Sequence, residues 1–202
     1  SPEQIQACRA DYADHLKLLD DQLQKILQKL NQRSDADNTA VALTSDHGDM
    51  LGDAGMLYKG TFLESAIRVP FIYRAPKRTG HHPQNLSNQA LALTDLLGQI
   101  LEGLPRGGAL QPILGWGGRQ LGAVAEFANE RLYVRGQRKL CLNQQGAPIW
   151  ATDLAGDPGE QINVWPIGGV LHPRWERLKS WAQRDHAHRS QPGWLWRRLT
   201  NP

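Results

Sequence analysis

Residues 38–76 read NTAVALTSDHGDMLGDAGMLYKGTFLESAIRVPFIYRAP. The run Thr39 to Thr44 is short, apolar and partly β-branched, the pattern of a strand covered on both faces. Asp46 and His47 follow it directly. In open α/β sheets, ligands bind outside the carboxyl ends of the strands. Consecutive residues within a strand point to opposite faces, so these two share one ion only if both lie past the strand end, where the chain turns. Gly48 supplies a turn by accepting backbone angles that other residues resist. A carboxylate beside an imidazole is a partial shell for a divalent ion. Calcium takes about six to eight oxygens, so further ligands must come from elsewhere. On the residues alone a plainer reading stays open: Asp46 caps a following helix, His47 is polar loop and Lys59 is a surface lysine. Asp49 and Asp53 do not make a local calcium loop, because the order of an EF-hand is absent.

Working outward, Leu16, Leu19, Leu23, Ile26, Leu27 and Leu30 recur at helical spacing ahead of this stretch. The polar segment Asn31 to Asn38 ends that helix. After the Asp-His pair, Thr61 to Ile67 can form a short helix and Val69 to Tyr73 a second strand, with Pro70 at its start or on an edge. Leu86 to Leu104 reads as another amphipathic helix, with Gly103 near its end. Helix alternating with strand predicts an α/β layer with a mostly parallel sheet and flanking helices. The segment Pro105 to Gly118 holds five glycines and two prolines and marks a loop or boundary. Beyond it, Ala123–Phe127, Arg131–Arg135, Lys139–Leu142 and Ile149–Leu154 are short strand-like runs separated by polar or glycine turns, a small antiparallel meander. Pro173 to His186 makes a last helix with Trp175, Leu178, Trp181 and Ala182 along one side. The expected division is therefore 1–104, an α/β portion, and 105–202, a small α+β subdomain.

The 202 residues are 40% apolar and 21% charged, an ordinary soluble globular composition. A net charge of +3 is too small to argue for nucleic acid as a partner. Basic residues crowd the C-terminal end (Arg174, Arg177, Lys179, Arg184, Arg189, Arg197 and Arg198, against Glu176 and Asp185) and read as a solvated helix face. Cys8 and Cys141 form no CxxC and no metal-ligand spacing. No apolar run approaches the ~20 residues of a membrane span. There is no signal peptide, and a chain that starts at Ser1 and enters helical sequence at once reads as a piece of something longer.

Three ordered stretches resemble the sulfatase branch of the alkaline-phosphatase superfamily: residues 38–76, YADHLKLLDDQLQKILQKL at Tyr12–Leu30, and IWATDLAGDPGEQIN at Ile149–Asn163. The resemblance implies an alkaline-phosphatase-like α/β fold and a metal-dependent sulfuric ester hydrolase. Asp46 and His47 then match the family's ligands to the active-site divalent ion, Ca²⁺ foremost, with Mg²⁺ or Mn²⁺ as alternatives. Lys59 matches the catalytic, substrate-binding lysine that contacts the sulfate ester oxygens. Arg68, in the family's Arg-x-Pro, reads as structural and paired with Glu64. The substrate implied is a small-molecule or carbohydrate sulfate ester, and family members are often exported or periplasmic. The chain departs from the family in lacking the Cys/Ser-x-Pro-x-Arg motif whose first residue becomes formylglycine: neither cysteine fits, and Ser190-Gln191-Pro192 is not followed by the arginine. The aspartate pair that completes the metal shell is also absent, and Ala54 stands where relatives often carry histidine. Formylglycine is thus expected upstream, in a missing N-terminal half, with the 202 residues alone inactive. Two rivals remain: a phosphohydrolase or phosphonate monoester hydrolase of the same superfamily, and a non-catalytic binding module.

Overall fold

The computed structural model describes residues 1–77, 90–94, 122–165 and 173–190. These fall in two compact units, 1–77 in the first and the remaining described residues in the second. The expected helix Leu86–Leu104 and the segment 105–118 lie largely or wholly outside the described residues.

In the first unit, helix α1 (Pro2–Asn31) begins at Ser1, whose capping box with Gln4 satisfies the first turn. The helix is longer than its leucine spacing alone indicates, and none of its residues is buried. Leu16, Leu19 and Ile26 are 51%, 63% and 63% exposed. Strand β1 (Val41–Thr44) follows a single 3₁₀ turn at Ala36–Asn38. Helix α2 (Glu64–Ile67) is one turn long, and strand β2 (Phe71–Arg74) pairs with β1. That pair is antiparallel, with Val41 opposite Arg74 and Thr44 opposite Phe71. The parallel arrangement suggested by the helix–strand alternation does not hold here. The reason lies in the connection. A parallel return needs a crossover long enough to carry the chain back to the starting end of the sheet, whereas Ser45–Pro70 folds up locally and α2 is too short to span it. The strand expected to be covered on both faces also carries exposed residues, Leu43 at 40% and Ile72 on β2 at 62%.

The second unit is a four-stranded antiparallel meander in sequence order, β3 (Ala123–Phe127), β4 (Glu130–Arg135), β5 (Arg138–Leu142) and β6 (Pro148–Asp153). Helix α3 (Pro173–Arg189) packs on it. Tyr133, Leu140, Leu142 and Ala151 from the sheet meet Trp175, Leu178, Trp181 and Ala182 from the helix, in one cluster. The helical stripe read from the sequence is the buried face. Tyr133 and Trp181 meet edge to face, 5.2 Å between centroids, a geometry aromatic quadrupoles favour.

The Asp157-Pro158-Gly159-Glu160 turn closes this unit with charge. Lys139, fully buried on β5, reaches Glu160, 3% exposed, at 2.6 Å. Asp157 accepts the Ile162 amide at 2.7 Å and its carbonyl accepts the Glu160 amide at 3.1 Å. These bonds hold Glu160 at φ 54°, in the left-handed region that costs a non-glycine residue energy. Removing one member of such a buried pair typically costs about 3–5 kcal/mol, because the other is left charged and unsolvated.

Candidate functional site

The segment between β1 and α2 is a loop that bonds chiefly to itself. The Met50 amide donates to the Tyr58 carbonyl at 2.7 Å and the Gly52 amide to the Met56 carbonyl at 2.8 Å. The Asp53 amide donates to the Met50 carbonyl at 2.7 Å, closing a tight turn. Leu51, Ala54 and Tyr58 have φ of 46°, 50° and 64°, values that L-residues adopt only when the surroundings impose them. Met50, Phe62 and Ala66 are buried at the loop's centre. The fold-back returns Lys59 to His47, twelve residues earlier.

Two glycines let the loop dock. A Cβ on Gly48 would lie 2.0 Å from the Ser65 carbonyl oxygen, and its amide donates to the Ala66 carbonyl at 2.7 Å. Gly48 is therefore needed for close approach of two backbones and not for a left-handed turn, a different reason from the one the sequence suggested. Gly52, at φ 92°, sits where a Cβ would strike Ile5 of α1. Arg9 on α1 completes the docking: its Nε donates to the Leu51 carbonyl at 2.8 Å and its Nη2 to Asp53 Oδ1 at 2.9 Å. Asp53 Oδ2 accepts from Ser65 Oγ at 2.5 Å. The Arg9–Asp53–Ser65 chain ties α1, the loop and α2 together. The sequence reading missed it, since Asp53 is unremarkable once an EF-hand is excluded and Arg9 lies 44 residues away. Arg68 lies 3.8 Å from Glu64, the one-turn spacing expected of that pair.

The three residues singled out from the sequence do meet. His47 Nδ1 is 2.8 Å from the Gly48 carbonyl oxygen. A carbonyl only accepts, so Nδ1 carries the proton and Nε2 presents its lone pair. Asp46 Oδ2 lies 3.4 Å from that Nε2, and Lys59 Nζ donates to it at 2.5 Å. Asp46 Oδ1 accepts the His47 amide at 3.0 Å. The Asp46 side chain is 84% exposed and that of His47 37%, so the cluster opens to solvent. Desolvation, the largest single cause, pushes the Asp46 carboxyl up. The His47 amide, its own amide and Lys59 outweigh that and hold it below the usual carboxylate range. A neutral imidazole lone pair and an anionic carboxylate converge on one point, with an ammonium against them.

As a fit to a divalent ion this donor set is right in kind and incomplete in number. No group of three or more His, Cys, Asp or Glu side chains converges among the described residues. Burial, and then Glu130, push the Cys141 thiol up to about 12, so it stays protonated, and both cysteines are free. Among the described residues, no helix is long and apolar enough to cross a membrane.

The chain is an α/β protein in which a carboxylate, an imidazole and a lysine cluster at a strand end. The sequence profile of the sulfatase family matches residues 3–104, and the chain belongs to that family. Choline-sulfatase of Rhizobium meliloti is 31% identical over 177 residues, which span 80% of this chain and 34% of that protein. Among solved structures, a protein in complex with its substrate D-glucosamine-2-N,6-O-disulfate superposes with a TM-score of 0.66 at 19% identity, over 85% of this chain and 39% of that one. A 2-O glycosaminoglycan sulfatase superposes with a TM-score of 0.63 at 20% identity, over 92% and 45%. These likenesses give the alkaline-phosphatase-like α/β fold. The chain spans about a third of choline-sulfatase and less than half of the solved chains.

Proposed function

We propose that this chain is part of a sulfuric ester hydrolase and supplies one side of its active site. In this reading Asp46 and His47 are two ligands of a divalent ion, calcium foremost and Mg²⁺ or Mn²⁺ otherwise, and Lys59 contacts the sulfate group. The observation that carries the reading is the convergence of Asp46 Oδ2 and Lys59 Nζ on the His47 Nε2 lone pair at the end of β1, in a chain of the sulfatase family. The ion, when bound, would stabilise negative charge on the ester oxygens. His47 is already in the tautomer a ligand needs, held there by Gly48. Asp46 stays ionised and brings the anionic charge that favours a hard cation. Lys59 offers a cation to the oxygens on which charge builds as the S–O bond breaks, the kind of preorganised partner that lowers a barrier.

The same reading assigns the nucleophile, a formylglycine, and the remaining metal ligands to the N-terminal half of the same protein. The exposed leucines of α1 and the exposed faces of β1 and β2 are consistent with surface that such a half would cover. The substrate is a small-molecule or carbohydrate sulfate ester, in keeping with choline-sulfatase and with the glucosamine disulfate of the solved relative. Turnover of a chromogenic aryl sulfate tests it. The intact protein is expected to show metal-dependent hydrolysis, and the 202 residues alone none, since they hold no activatable nucleophile. Steady metal-dependent turnover by the 202 residues alone would contradict the assignment of the nucleophile. A preference of the intact protein for phosphate or phosphonate esters would contradict the substrate class.

A further inference from the structure

The loop between β1 and α2 has a base and a tip, and different bonds fix each. At the base, the Gly48 amide donates to the Ala66 carbonyl, and the Gly48 carbonyl holds His47 Nδ1. The two arms of the loop then run back on one another, Met50 bonded to Tyr58 and Gly52 to Met56. Tyr58, whose carbonyl takes the first of these bonds, directly precedes Lys59. At the tip, a single turn at Asp53–Gly55, both carboxylate oxygens of Asp53 are engaged by different elements. Oδ1 accepts from Arg9 of α1 and Oδ2 from Ser65, in α2. Arg9 is divided too, with Nε on the Leu51 carbonyl and Nη2 on Asp53.

Lysine carries its charge at the end of a flexible four-carbon stem. The place of the Lys59 ammonium therefore depends on where the backbone at Lys59 is held. That backbone belongs to a strained loop, with Leu51, Ala54 and Tyr58 all at positive φ. Such conformations persist only where neighbouring contacts over-determine them. Arg9 and Asp53 grip the loop at this strain: one bonds the carbonyl of Leu51, and the other directly precedes Ala54. The side chains of the pair are each 53% exposed, so the contact adds little to global stability. Its effect is on where the loop lies.

We infer that Arg9 and Asp53 are positioning residues for Lys59. By pinning the loop tip between α1 and α2, they hold the arms in register and keep the ammonium at the strand-end cluster. They touch no substrate and act through Lys59, a conclusion that rests on the reading of Lys59 as the partner of the sulfate group. Without the clamp the fold survives, but the loop relaxes and the ammonium moves from its place. A displacement of about 1 Å at a reacting centre can cost about 10²-fold in rate.

The intact protein tests this as the parent, Arg9→Ala, Asp53→Ala, Lys59→Ala and the Asp53→Ala, Lys59→Ala double variant. Turnover of a chromogenic aryl sulfate at saturating calcium gives kcat and KM, and a thermal melt gives the midpoint. Asp53→Ala and Arg9→Ala should each lower kcat roughly ten- to hundredfold, the range for a lost supporting partner, with a parent-like midpoint. In the Lys59→Ala background, Asp53→Ala should cost little more, because residues acting through one group are not additive. A second readout needs neither metal nor turnover. In the metal-free protein Lys59 donates to His47 Nε2. With ¹⁵N-labelled histidine at about pH 8, where an ordinary imidazole is neutral, Lys59→Ala should move the Nε2 resonance of His47. Asp53→Ala should move it in the same direction. If the parent turns over no sulfate ester, the functional reading fails, and the Nε2 resonance still decides the positioning. A parent-like kcat in Asp53→Ala, a loss that adds in full to that of Lys59→Ala, a midpoint that falls in step with the rate, or an unmoved Nε2 resonance would each overturn the inference.

Discussion

The two units are held together by different means. The meander and α3 enclose a core of their own, with Leu132, Leu140, Leu142, Leu178 and Ala182 entirely out of solvent and a buried Lys139–Glu160 pair at its margin. Among its described residues, the unit carrying Asp46, His47 and Lys59 buries little beyond Met50, Phe62 and Ala66. Its thirty-residue helix buries nothing, and polar bonds shape its loop. The difference separates two jobs. One unit is stabilised by apolar area removed from water, worth about 25 cal/mol per Å². The other holds a loop in a conformation whose strain its hydrogen bonds must offset.

The largest effect expected from this contrast comes from leucine truncation. Leu178→Ala should destabilise by about 2–5 kcal/mol through lost transfer energy and a cavity. Leu19→Ala on the exposed face of α1 should stay within about 0.5 kcal/mol in the 202-residue chain. Urea unfolding followed by tryptophan fluorescence measures both. Equal losses at the two positions would break the contrast.

A smaller effect is expected at the loop. The Arg9–Asp53 contact is half exposed on both sides, and such pairs contribute about 0.2–1 kcal/mol. Asp53→Ala should therefore barely move the unfolding midpoint of the chain. It should, however, speed amide exchange at Gly52 and Gly55, whose bonds close the turn Asp53 anchors. Unchanged exchange at these amides would show that the loop does not need the clamp.

The smallest effect concerns Cys141. A thiol pushed up to about 12 from an ordinary value of 9.0 favours the folded state at every pH below about 9, and that contribution is lost as pH rises from there toward 12. The decline in stability between pH 9 and 11 should be shallower in Cys141→Ala than in the parent chain. Alkylation at pH 8 should label the partly exposed Cys8 well before the buried Cys141.

Much of the second unit was legible in the sequence because its signals are local. Alternating runs and glycine turns marked four strands within a residue or two of their ends, and Trp175, Leu178, Trp181 and Ala182 gave away the buried helix face. In the first unit the helix and the strand were also readable, whereas Asp46, His47 and Lys59 were singled out together only through the family resemblance. The direction of β2 was not readable, since it depends on how Ser45–Pro70 folds, which no periodicity records. The reason for Gly48 was hidden because the Ser65 carbonyl that requires it comes from seventeen residues away. Arg9 and Asp53 were missed for the same cause: a lone arginine and a lone aspartate acquire meaning only when the chain brings them to 2.9 Å. Lys139 looked like an ordinary strand lysine until Glu160 met it in the interior.

The central claim is that Asp46 and His47 bind a metal ion while Lys59 serves the ester. Calcium titration of the intact protein, followed by calorimetry in the parent, Asp46→Ala and Lys59→Ala forms, tests it most directly. The single lone pair of His47 Nε2 can serve Lys59 or a metal, not both at once. Asp46→Ala should therefore bind calcium more weakly and recover part of its turnover with excess metal. Lys59→Ala should bind calcium as well as the parent or better, yet lose about 10²–10³ in rate, as loss of one preorganised donor does. Unchanged calcium affinity in Asp46→Ala, or turnover restored to Lys59→Ala by added calcium, would contradict the account.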